Sequence, residues 1–417
     1  MLFGDAKQWV SELTAEVRAR SRGASVVPVR GELLGYRLSR AWFSLAPGVL
    51  ALAVFSVTDV LPGFSARHAV AGTTAAAAEL RGLSTQQLAG QRVIYSYLGL
   101  TPPASLLARI KAGKAAGVIF YSDNISSEPQ IKHVIAELQK AAAHSPVKQP
   151  LLMMTDQEGG QVRRLPGAPV LSEKQIGESS HPQAAARKAG RGAGLNLRGV
   201  GMDVNLAPVL DVFRKPGDFI DQYQRSYSNN PQTAARLGTD FIEAQQKTGV
   251  AATGKHFPGL GAARKNQNTD ARPVTLNVSL HSLRTVDEAP YRSGLPAGLR
   301  LVMVSWAIYP ALDPKRPAGL SPIVVRQELR KRLKFTGVTI TDALEAGALA
   351  RYGGISNRTL LAARAGMDLL LCASQSPSQG TAALNALAGA LRNGQLNRSS
   401  FMASIKRVLA LRSAVNP

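Results

Sequence analysis

Residues 250–273 read VAATGKHFPGLGAARKNQNTDARP, and the fold turns on how this stretch is read. It begins with small apolar residues that suit a buried strand. It then switches to Lys255, His256, Pro258 and the glycines Gly254, Gly259 and Gly261. Polar residues at the carboxyl end of a strand, followed by a flexible loop, are the layout of a barrel active site.

Working outward, seven further runs rich in apolar and β-branched residues bracket this one. They are residues 92–97 (RVIYSY), 117–122 (GVIFYS), 151–156 (LLMMTD), 203–208 (DVNLAP), 301–306 (LVMVSW), 338–342 (VTITD) and 367–373 (MDLLLCA). Segments with helical spacing lie between them, such as residues 130–143 and 231–246. Eight strands alternating with helices predict an α/β fold, a TIM-type (β/α)8 barrel over residues 91–417 as the single catalytic domain. An open doubly wound sheet is the competing architecture. It would carry a glycine-rich phosphate turn after the first strand, and RVIYSYLGLTPP has none.

The chain has 417 residues, of which 45% are hydrophobic, enough for a sizeable core. Fifty Lys and Arg against 27 Asp and Glu give a net charge of +23, a field that favours anionic partners such as acidic cell-wall polymers. The basic residues are spread along the chain and aromatics make up only 6%, which argues against a nucleic-acid partner. A single cysteine, Cys372, excludes an internal disulfide and a cysteine metal cluster, and its apolar setting reads as a buried strand position. The six histidines show no metal-ligand spacing, so neither a metal nor another cofactor is expected.

Residues 1–40 form a basic amino-terminal segment. Residues 41–58, AWFSLAPGVLALAVFSVT, carry no charge and as a helix would reach about 27 Å, near the membrane's hydrocarbon thickness. They read as a transmembrane or signal segment with the amino terminus in the cytoplasm, followed by a linker over residues 59–90. The expected location is the cell envelope, membrane-tethered through this segment or secreted.

Several strand ends carry chemistry. Asp156-Gln157-Glu158-Gly159-Gly160 continues to Arg164, where a carboxylate and a guanidinium can grip neighbouring hydroxyls. Asp211 lies near the end of the fourth strand, with Arg225-Ser226-Tyr227 in its loop. Asp342 sits where an apolar strand meets its loop, a costly place for a charge unless hydrogen bonds or cations such as Arg164, Lys255 and Arg225 hold it. It could also cap the following helix.

KHFPG, DQEGGQVRRL, Arg225-Ser226-Tyr227, PAGLS at 317–321 and TDAL at 341–344 together resemble glycoside hydrolase family 3, in the single-domain branch that includes bacterial β-N-acetylhexosaminidases. The resemblance implies a retaining glycoside hydrolase that removes terminal β-linked sugars from peptidoglycan-type or other amino-sugar glycans. It assigns the nucleophile to Asp342, the hold on the non-reducing sugar to Asp156 and Arg164, and further sugar contacts to Arg225, Lys255 and His256. The family often has His where Trp306 stands. In this branch the acid/base is a His paired with an Asp on the loop after KHFPG, whereas this chain has Leu260 for the loop's first His, Asn266 and Asn268 at the expected pair, and no His between 257 and 280. Three readings stand: Asp270 is the acid/base, another carboxylate such as Glu158 serves, or the chain binds sugar without turnover.

Overall fold

The computed structural model describes residue 80 and residues 82–415. The basic segment 1–40, the apolar segment 41–58 and most of the expected linker therefore lie outside the described residues. The end of that linker is structured: Thr85–Gly90 (α1) is a helix capped by Ser84, whose side chain accepts from the Gln87 N–H. Among the described residues no helix is long and apolar enough to cross a membrane.

Twelve strands follow in chain order: β1 (Val93–Tyr95), β2 (Gly117–Ile119), β3 (Leu152–Thr155), β4 (Gln157–Gly159), β5 (Val162–Arg163), β6 (Val204–Asn205), β7 (Ala251–Phe257), β8 (Leu301–Val304), β9 (Ile308–Tyr309), β10 (Asp313–Pro317), β11 (Val338–Thr341) and β12 (Leu370–Leu371). Eight of them coincide with the eight runs read from the sequence. They pair in parallel in the order β1, β2, β3, β6, β7, β8, β11, and β12 pairs back to β1.

A parallel bridge between Ile340 and Leu369, with the Leu369 N–H donating to Thr339 O at 2.9 Å, links the two ends of the sheet. The sheet is thus a closed (β/α)8 barrel, and the open doubly wound alternative falls. The remaining strands form two antiparallel hairpins, β4–β5 and β9–β10, on the carboxyl-end loops.

The barrel strands read as continuous apolar runs because both faces are covered, the inner by one another's side chains and the outer by helices. Helices begin where the sequence supplies caps. Ser127 accepts from the Gln130 N–H at the start of Glu128–Ala143 (α2), and Asn230 from the Thr233 N–H at the start of Pro231–Gln246 (α4), each with Pro in the first turn. Pro182–Val200 (α3) packs on α4 through small residues, with Ala186, Ala189 and Ala193 meeting Leu237 and Phe241 in one buried cluster. Cys372 is fully buried, as expected.

Candidate active site

The parallel strands all end at one rim, and the polar residues singled out in the sequence stand there. Asp156 follows β3, and the next residues fold into the β4–β5 hairpin. Gln157 shapes it. Its side-chain oxygen accepts from the N–H groups of Arg164 and Leu165 at 3.0 Å, and its amide donates to Leu165 O and Ala168 O. The paired glycines have a steric cause: Gly159 has φ +110°, and a Cβ there would lie 2.2 Å from Leu171 O.

Glu158 turns inward and is 1% exposed. The Arg225 guanidinium grips it at both oxygens, 2.8 and 2.9 Å, and the Lys255 ammonium lies 2.6 Å from Oε1. Lys255 also donates to Asp156 Oδ1 at 2.7 Å. Burial alone would raise the Glu158 pKa, but the two cations outweigh it and hold the carboxyl at about 2. A carboxylate held so firmly ionised cannot donate a proton at neutral pH, so Glu158 is excluded as the acid. Lys255 is likewise kept charged, since Asp156 and Glu158 overcome the effect of its burial.

The KHFPG turn is fastened by Asp211. Its Oδ2 accepts from His256 Nδ1 at 2.8 Å, and its Oδ1 accepts from the N–H groups of His256 at 3.1 Å and Leu260 at 2.6 Å. One carboxylate therefore sets both the imidazole and the start of the following loop. Leu260, standing where the family's histidine is expected, is buried and contributes its backbone.

Asp342 follows β11. Its Oδ1 accepts from the Ala343 N–H at 2.7 Å, and among the described residues it forms no ion pair. The sequence-based expectation that Arg225 would hold it is corrected, because two of that guanidinium's nitrogens face Glu158 instead. Burial raises the Asp342 pKa first, and the neighbouring Asp270 carboxylate raises it further, opposed by His256 and Lys255. Asp270 is thus within the Coulomb field of Asp342. Its loop is docked on the loop that carries Asp342, Gly347 N–H to Asp270 O at 2.7 Å and Ala348 N–H to Thr269 O at 3.0 Å. Asn268, at the position where the family's histidine is expected, instead shapes the turn by accepting from the Asp270 N–H at 2.8 Å.

Trp306 is fully buried beneath the same loop and donates from Nε1 to Ala343 O at 2.9 Å. It anchors the residue next to Asp342. Tyr121, beyond the end of β2, was not singled out in the sequence. Its buried hydroxyl has no hydrogen-bond partner among the described residues, and its pKa is raised by burial, then by Asp156 and Glu345, with Asp342 adding and Arg164 opposing. The phenol is therefore in electrostatic range of Asp156, Arg164 and Asp342. The rule applied to the other strand ends would have found it, since GVIFYS also closes on a polar aromatic.

Among the described residues no group of three or more His, Cys, Asp and Glu side chains is arranged to hold a metal ion.

The Glycosyl hydrolase family 3 N terminal domain matches residues 86–411. The chain belongs to this family. It is 47% identical over 331 residues to an uncharacterized secreted glycosyl hydrolase of Arthroderma benhamiae, covering 79% of this chain and 93% of that protein. A beta-hexosaminidase of Idiomarina loihiensis is 34% identical over 260 residues, covering 61% of this chain and 75% of its own length. Among solved structures, a glycoside hydrolase family 3 beta-N-acetylglucosaminidase of Paenibacillus sp. superposes with a TM-score of 0.76 at 34% identity, over 81% of this chain and 64% of that one. As a family 3 member the protein is a glycoside hydrolase, and its barrel is the catalytic architecture of that family.

Proposed function

We propose that this family 3 hydrolase removes terminal β-linked N-acetylhexosamine with retention of configuration, using Asp342 as nucleophile and Asp270 as acid/base. The observation that carries the reading is the electrostatic pairing of these two carboxyls across docked loops. Burial first, and then the neighbouring Asp270 carboxylate, raise the Asp342 pKa above the ordinary carboxylate value, which places the two carboxyls in each other's field. The proposed reaction requires Asp342 ionised and Asp270 carrying the proton that the leaving group takes.

Asp342 attacks the anomeric carbon, the glycosidic bond breaks, and its oxygen leaves with the proton from Asp270. Water, deprotonated by Asp270, then cleaves the glycosyl-enzyme ester and frees Asp342. Asp156 and Arg164 hold the sugar hydroxyls, His256 and Lys255 complete the wall, and Arg225 acts through Glu158 by fixing Lys255. The beta-hexosaminidase and beta-N-acetylglucosaminidase names of the relatives support the sugar. Peptidoglycan-type or other amino-sugar glycans are the proposed substrates, and a chain of net charge +23 suits an anionic wall. Export is supported by the secreted relative, with residues 41–58 as the signal or tether.

The test compares aryl and alkyl β-N-acetylglucosaminides. An active parent enzyme, with Asp342→Asn dead on both, is expected. Normal turnover by Asp342→Asn would remove the nucleophile assignment. Asn266 and Asn268 in place of the family's acid/base pair favour a second reading, sugar binding without turnover. Calorimetric heat with N-acetylglucosamine oligomers but no product from either glycoside would establish that instead.

A further inference from the structure

At the amino-terminal end of the barrel, away from the carboxylates, lies a cavity of about 310 Å³. Arg92 precedes β1, Arg330 precedes β11, and Arg364 stands at the end of Ile355–Ala365 (α5). Arg326 and Arg407 complete a set of five guanidiniums on its wall, and none of its lining residues is acidic. The nearest counter-charge is Asp368, fully buried behind them. Its carboxylate accepts from Arg330 and from Arg407, the latter at 2.8 Å, and from the Thr339 N–H at 3.0 Å. Its oxygens are committed.

The other bonds of these arginines go to uncharged oxygens, the hydroxyls of Thr339 and Ser404 and several carbonyls. Arg92 donates to Asp368 O and Met367 O, Arg326 to Ala365 O and Arg364 O, and Arg330 to Phe335 O and Gly337 O. Carbonyls and hydroxyls satisfy donors but carry no net charge. Five cations against one carboxylate leave four positive charges around one concavity, and in a partly desolvated site this repulsion is costly. Arg92 registers it: burial first, with Arg407 and Arg326 adding against Asp368, pushes its pKa down to about 10. The start of the 18-residue helix Arg398–Val415 (α6) faces the same space through Asn397 and Ser400, adding the positive end of its dipole.

We propose that this cavity is a binding site for a phosphate-class oxyanion, either free phosphate or the phosphate of a lipid headgroup. A dianion there answers the uncompensated charge through forked hydrogen bonds that guanidinium groups are shaped to give. The site is independent of the sugar chemistry at the opposite rim.

The experiment uses the full chain and the variant Arg326→Gln/Arg364→Gln, whose two side chains are exposed on the cavity rim and leave Asp368 and its partners intact. Inorganic phosphate is titrated calorimetrically at ionic strength matched with chloride. Saturable binding to the parent, weakened at least about 10-fold in the variant with aryl-glycosidase activity unchanged, is expected from losing two of the charged contacts. Heat no greater than chloride gives, or equal affinity in parent and variant, overturns the proposal. Arg364→Glu alone serves as a second variant and should abolish the phosphate heat; if it binds phosphate as the parent does, the site is not this cavity. Flotation with phosphatidylglycerol against phosphatidylcholine vesicles identifies the source. Selective binding that the variant loses assigns the headgroup, whereas binding that the variant keeps reports overall charge and leaves free phosphate as the ligand.

Discussion

Gly347 donates its backbone N–H to the carbonyl of Asp270 at 2.7 Å, and this bond fastens the loop after β7 to the loop that carries Asp342. The contact admits only glycine, because a Cβ at residue 347 would lie 2.3 Å from Ala271 O. The two carboxyls of the proposed mechanism owe their proximity to a backbone contact rather than to a side-chain bond between them.

Gly347→Ala should therefore misplace the Asp270 loop without unfolding the barrel. A displacement of about 1 Å can cost roughly 10²-fold in rate. The expectation is a fall in kcat of about 10- to 100-fold with a smaller change in KM, read by steady-state kinetics beside a melting curve that stays near the parent's. An unchanged kcat would separate the docking from catalysis.

Asp270→Asn should slow hydrolysis of alkyl glycosides by about 10²- to 10⁴-fold, the ordinary worth of a general acid, and spare aryl glycosides with good leaving groups. It also removes the like charge that raises the Asp342 pKa. The acid limb of kcat/KM should then move to lower pH. A profile that stays in place would mean that the Asp270 charge does not act on Asp342.

Asp342→Asn should lose roughly 10⁴-fold or more in kcat, as removal of a nucleophile does. Its effect on stability has the opposite sign. The folded pKa is raised above the unfolded value, so at neutral pH the ionised carboxyl is worse off folded than unfolded, and the amide relieves this. The variant should melt higher than the parent near pH 7, with the gain vanishing below about pH 4, where both states are protonated. A lower melting temperature at neutral pH would contradict the environment described for this carboxyl.

Glu158 behaves in the reverse manner. Its folded pKa of about 2 lies below the ordinary 4.5, so its contribution is full above pH 4.5 and is lost as pH falls toward 2. That loss amounts to about 3 kcal/mol. Glu158→Gln strands the buried charges of Arg225 and Lys255 and should destabilise the fold by about 3–5 kcal/mol at neutral pH, measured by urea unfolding. Lys255 would also lose one of its two carboxylate anchors, so a rise in KM should accompany it.

The strand pattern was legible because a parallel barrel buries both faces of each strand, and eight apolar runs separated by helical spacing leave few alternatives. Lys255, His256, Asp156 and Asp342 were legible for a related reason: each is polar at the last step of an apolar run. The role of Glu158 was not. Its neighbours Arg225 and Lys255 come from other strand ends, and only their approach within 3 Å turns a candidate acid into a fixed anion.

Tyr121 was passed over although it obeys the strand-end rule, and Asn268 proved to be a turn residue in a place where the family pattern leads one to look for a proton carrier. The amino-acid sequence by itself determined the barrel, its strand order and the set of polar residues available at the rim, since these follow from local periodicity and chain connectivity. Tertiary structure alone decided which of those groups are paired, which are held ionised and which are pushed toward the neutral form. Those properties depend on distances and burial among residues far apart in the chain, and electrostatic energies change steeply with both.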